Sequence, residues 1–137
     1  MSQVVTFLLS AGFVINGLVG FAFTGFADFT NHTGHDVFGF NVNPLHNLVH
    51  LAIGLIGLVC CWRIAATRFF GWLLVFGYGS VMAYGIFVVV KPGMNFLALN
   101  SADNVLHGLA AFVGLMIALW GSWQPEEAQA PARHRSV

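Results

Sequence analysis

Charge is what this sequence has least of. Only 7% of its 137 residues are Asp, Glu, Lys or Arg, five basic against five acidic, for a formal net charge of zero. A water-soluble domain of this size needs more polar surface than that. Hydrophobic residues make up 58% and the mean hydropathy is +0.80, so the expected solvent is a lipid bilayer. No basic patch exists, which removes nucleic acid as a partner. Cysteine is almost as scarce. Cys60 and Cys61 are adjacent, a spacing at which disulfide geometry resists pairing, and they read as small apolar helix residues. There is no C-x-x-C, no C-x-x-C-H, no H-E-x-x-H and no catalytic serine or cysteine signature. The expectation is therefore a non-enzymatic protein.

What the chain does have is long apolar runs. The first extends from Val4 to Phe26 without a charge. A helix of about 20 residues crosses a hydrocarbon core of about 30 Å. No basic leader precedes the run and no small-residue cleavage site ends it, so it reads as a retained membrane helix and not a signal peptide. Gly12, Asn16 and Gly20 fall on one face of it, read as a close helix contact with a hydrogen bond from Asn16. The second run opens at Pro44, with Asn43 as N-cap, and ends near Trp62 and Arg63. The third covers Phe69 to Val90 and stops at Lys91-Pro92-Gly93. Its aromatic residues, Phe69, Phe70, Trp72, Phe76, Tyr78, Tyr84 and Phe87, are read as an outer surface. The fourth is capped by Asn100 or Ser101 and ends at Trp120 to Trp123.

Four spans make a four-helix transmembrane domain over residues 1–123, followed by a disordered tail over 124–137. The longest connection, Asp28 to Val42, interleaves phenylalanine with polar residues and is expected to fold back on the bilayer surface. His32 and His35 lie in it and read as polar surface. Arg63, Arg68, Arg133 and Arg135 stand against Lys91 alone on the other side, which places both termini in the cytoplasm.

The chain also repeats itself. Asn47-Leu-Val-His50 is echoed by Asn104-Val-Leu-His107, and each copy is followed at the same distance by Gly-Leu, at Gly57-Leu58 and Gly114-Leu115. A polar residue precedes each histidine by four, His46 in one copy and Asp103 in the other. Such self-similarity predicts two tandem helical hairpins related by a pseudo-two-fold axis, with the second and fourth helices facing each other. His50 and His107 lie at similar depth, each about 9 Å below its helix start. Gly54, Gly57 and Cys61 continue the face of His50, and Ala111, Gly114, Ala118 and Gly121 continue that of His107.

Two readings of these faces stand side by side. In the first the small residues are close packing, the histidines hydrogen-bond across the contact, and Asn47 and Asn104 add amide bonds to the same seam, with no cofactor. In the second the face is a cofactor site, because ionisable groups inside a membrane are functional candidates. Haem would be held between His50 and His107, or a transition metal by His46, His50, Asp103 and His107.

The motif Asn-Pro-Leu-His-Asn-Leu-Val-His, with Gly-Leu-Ile-Gly-Leu after it and Asp-Asn-Val-Leu-His later, resembles the bacterial family of four-helix membrane proteins filed as domain of unknown function forty-three eighty-three. The resemblance covers about residues 4 to 123. It implies four transmembrane helices in a bacterial cytoplasmic membrane and no particular activity. By analogy with other small membrane proteins, the expected role is an accessory or structural subunit of a larger complex, or a self-associating bundle. A haem- or metal-binding redox protein is the alternative. A transporter fits less well, since the repeats run parallel and not inverted.

Overall fold

The computed structural model describes residues 1–32 and 34–120. The expected tail, 124–137, and the end of the fourth span beyond Trp120 lie outside them. Four α-helices dominate: α1 (Ser2–Thr24), α2 (Pro44–Cys60), α3 (Ile64–Val90) and α4 (Ser101–Trp120). Three of them, α1, α3 and α4, are long and apolar enough to cross a membrane. The fourth, α2, has 17 residues and spans about 26 Å at 1.5 Å per residue. It follows directly on a stretch of non-helical chain and is capped by Asn43.

That stretch, a cap on the bundle, is the main departure from the expected loops. Residues 35–42 form a hairpin, β1 (His35–Val37) against β2 (Phe40–Val42), with His35 opposite Val42. Phe38 and Gly39 make its two-residue turn, both at positive φ, 56° and 88°, the arrangement that matches strand twist in tight hairpins. The second connection, 91–100, turns through a 3₁₀ segment at Pro92–Met94 and is knotted by Asn95. The Asn95 side chain accepts from Leu99 N and donates to Leu99 O, both at 2.8 Å. The two connections interlock. Asn43 donates to Asn31 O at 2.9 Å and Phe96 O at 2.8 Å, and Asn100 donates to Gly39 O at 2.9 Å. The Tyr84 hydroxyl, from α3, donates to Met94 O and accepts from Phe96 N.

The helices pair in sequence order. α1 packs most extensively on α2, and α3 on α4, while the seams between these pairs are thin. Glycine makes the close approaches. A Cβ at Gly54 would lie 2.7 Å from Val14 N, and one at Gly71 would lie 2.6 Å from Ala118 N. The small-residue faces of α2 and α4 are therefore packing surfaces, but their partners are α1 and α3. They do not pack on each other.

The core contains Phe70, Leu74, Tyr78 and Ala110, with Phe13 packed against them. Phe13 and Tyr78 stack at 5.0 Å. This corrects the sequence expectation for α3. Phe69, Trp72, Phe76 and Phe87 are exposed as expected, but Phe70 is fully buried and Tyr78 is buried too. The helix is apolar on every side, so its pattern carries no sign of which side faces inward. Helix α3 also begins earlier than expected, at Ile64, leaving only a tight turn after α2. Arg68 therefore lies inside the helix, in its second turn, and its Nε donates to Ala118 O of α4 at 3.2 Å.

Candidate metal centre

Asn43 sets the site. Its side chain accepts the His46 amide at 2.8 Å, as expected of an N-cap, and Pro44 supplies the first helical position. With α2 started there, His46 and His50 stand one turn apart on one face. Their Nε2 atoms are 3.1 Å apart. His107 reaches the same point from α4, its ring centroid 5.7 Å from His46 and 6.0 Å from His50. One ring nitrogen from each of the three lies within 4.8 Å of the others. All three side chains are buried, at 3%, 7% and 3% exposure.

Helices α2 and α4 thus meet through these rings and scarcely elsewhere. A hydroxyl that the sequence pattern did not single out joins them. The Tyr78 ring of α3 lies 5.1 Å from His107 and 6.0 Å from His50. Phe13 of α1 closes the side of His50, edge-on at 5.6 Å. The only sequence signal for Tyr78 is its being one of two tyrosines in the chain.

The other candidate residues stand apart from the triad. Asp103 caps its own helix: Asn100 N donates to its Oδ2 at 2.8 Å while Asp103 N donates to Asn100 Oδ1 at 3.0 Å, a reciprocal capping box. It lines the same cavity as the histidines. Asn47 and Asn104 point away from the histidine contact. Asn47 donates to Thr24 Oγ1 of α1 at 2.9 Å and fills the space over Gly20. Asn104 lies over Gly85 of α3 in the same manner. Each belongs to the seam within its own helix pair, because one residue along a helix turns the side chain by about 100°. His32 and His35 are exposed in the cap.

The triad has unspent bonding capacity. The Nδ1 atoms of His46, His50 and His107 and the Tyr78 hydroxyl are buried with no hydrogen-bond partner among the described residues. Buried polar groups are ordinarily satisfied, and each one left unpaired costs about 1–3 kcal/mol. These are not the atoms that converge: in His46 and His50 the facing nitrogens are Nε2. Nitrogen ligands on a tetrahedral ion sit about 3.3 Å apart for bonds of about 2.0–2.1 Å, close to the His46–His50 separation. Haem fits less well. Its axial ligands approach iron from opposite faces of the ring, and here the three imidazoles crowd one point, leaving no slot for a macrocycle between His50 and His107.

Helices of membrane-spanning length, a polar cap and a buried histidine triad define a helical bundle with a candidate metal centre at one end. The chain belongs to the family described as Domain of unknown function (DUF4383), whose model matches residues 3–120. Of the curated proteins and the solved structures, none matches.

Proposed function

We propose that the protein is a bacterial cytoplasmic-membrane protein that binds one transition-metal ion through His46, His50 and His107. The observation that carries this is the convergence of three buried imidazoles on one point, with a ring nitrogen of each within 4.8 Å of the others. Neutral imidazole suits zinc, copper, iron and nickel. Three histidines leave one position of a tetrahedral ion open. On this reading the site lies at the outer end of the bundle, because the arginine bias puts the α2–α3 turn and the termini inside. The matched placements of Asn47 over Gly20 and Asn104 over Gly85 support two tandem hairpins about a pseudo-two-fold axis.

The test is metal analysis of the purified protein, followed by titration of metal-free protein with Co²⁺. About one ion per chain and the visible bands of a tetrahedral cobalt centre are expected. His50→Leu and His107→Leu should each abolish them. Failure of the parent protein to bind zinc, cobalt or copper sinks the proposal, and loss of stability alone in the variants would assign the histidines to packing. An accessory role in a larger membrane complex is compatible with this reading. Its support is the exposed apolar face of α3, with Phe69, Phe76 and Phe87. Native electrophoresis after mild extraction tests it, and migration as a lone 14.8 kDa chain in detergent counts against it.

A further inference from the structure

The buried triad borders a cavity of about 330 Å³ between α1, α4 and the cap hairpin, lined by Gly12, Asn16 and Gly20 of α1 and Leu106 of α4 as well as by the histidines. The close contact expected along the Gly12–Asn16–Gly20 face is therefore made only at Gly20. A Cβ at Gly12 would meet nothing within 4 Å. Asn16 is exposed, and its side chain makes no hydrogen bond among the described residues. An amide in the middle of a membrane-length helix that faces no partner helix is costly unless another group meets it. At the other end of the same thin α1–α4 seam lies a second, wholly apolar cavity of about 260 Å³, flanked by Val5 and Met116.

We infer that a neutral, lipid-soluble amphiphile of the quinone class enters sideways between α1 and α4, its ring in the larger cavity and its chain along the seam. This goes beyond the bound ion, and concerns the opposite wall of the cavity. The class follows from the lining. No lysine or arginine among the described residues borders the cavity, and Asp103 does, so phosphate and carboxylate headgroups find no counter-charge. A carbonyl oxygen finds a donor in the exposed Asn16 amide on one wall, with the histidine side of the cavity opposite it. Phe38 and Phe40 of the hairpin supply flat apolar surface for a ring. The volume lies within the range of small-molecule sites, about 300–1,000 Å³.

The experiment is equilibrium binding of decylubiquinone to the full chain in lipid nanodiscs, with metal content measured on the same samples. Saturable binding near one per chain is expected. Gly12→Phe, which grows into open space at the mouth, and Asn16→Leu should each weaken it about tenfold or more, a loss of one hydrogen bond or of access. Gly77→Phe, on α3 and equally unobstructed, should bind as the parent does. Metal content should not change in any of the three, which separates failure of this site from failure of the ion site. Absence of saturable binding overturns the inference, as does a Gly12→Phe variant that binds like the parent. Displacement by oleate or phosphatidylglycerol at equal concentration overturns it too, by assigning the cavity to bulk lipid.

Discussion

His46 Nε2 and His50 Nε2 face each other at 3.1 Å. Between neutral imidazoles this is one hydrogen bond, with one ring as donor and the other as acceptor. Between two ligands it is the edge of a coordination sphere. Either way both rings commit the same nitrogen to the same point, and the i, i+4 spacing on a capped helix enforces it. The third nitrogen, from His107, distinguishes the two cases, because one shared proton cannot satisfy three rings.

Asn43 holds this geometry from outside. Asn43→Ala removes the cap on His46 N and the hydrogen bonds to the carbonyls of Asn31 and Phe96. The cap alone is worth about 1 kcal/mol, and the two lost hydrogen bonds add about 1–3 kcal/mol. Thermal unfolding in detergent should show the loss, and metal affinity should fall with it because His46 sits in the first turn. Unchanged stability would mean that the cap does not anchor α2.

The asparagine–glycine contacts predict a sharp contrast along α3. Alanine at Gly85 would drive its Cβ into the Asn104 amide, whereas alanine at Gly77 meets nothing. Gly85→Ala should destabilise by about 1–3 kcal/mol, the usual cost of overpacking. Gly77→Ala should be neutral or gain up to about 1 kcal/mol from helix propensity. Comparison of the two by thermal unfolding tests the α3–α4 register directly.

Tyr78→Phe isolates the orphan hydroxyl. Removing a buried polar group that lacks a partner should leave metal-free protein as stable as the parent, or more so by about 1 kcal/mol. A marked loss of stability in the metal-free variant would show that the hydroxyl is bonded after all.

Membrane orientation is open to labelling. In a variant lacking Cys60 and Cys61, a cysteine at His32 should react with an impermeant maleimide applied to intact cells, and one at Trp62 should not. Both positions are exposed. The opposite pattern would invert the topology.

Much of the site was legible because its signals are local. The Asn-Pro helix start, the His46–His50 spacing and the echo at His107 are all readable without any tertiary information, and they meet where their periodicity places them. What was not legible depends on which side of an all-apolar helix turns inward. Tyr78 and Phe70 belong to such a helix, and in lipid there is no polar face to contrast with the core. The glycine stripe around Asn16 suggests a helix contact, yet of its two glycines only Gly20 finds a neighbouring helix. The hairpin did leave a trace, Asp36 to Gly39 between alternating apolar residues, with Asp36 accepting from Gly39 N at 3.2 Å. Its phenylalanines suggested membrane surface instead.

The pairing of α1 with α2 and α3 with α4 bears on biosynthesis. Each pair can form as soon as its own two helices have left the ribosome, since its contacts are close in sequence. The triad cannot. Two of its nitrogens arrive with the first pair and the third only with α4. On the proposed metal-binding reading, the nascent chain offers an ion only two histidines until α4 has been inserted.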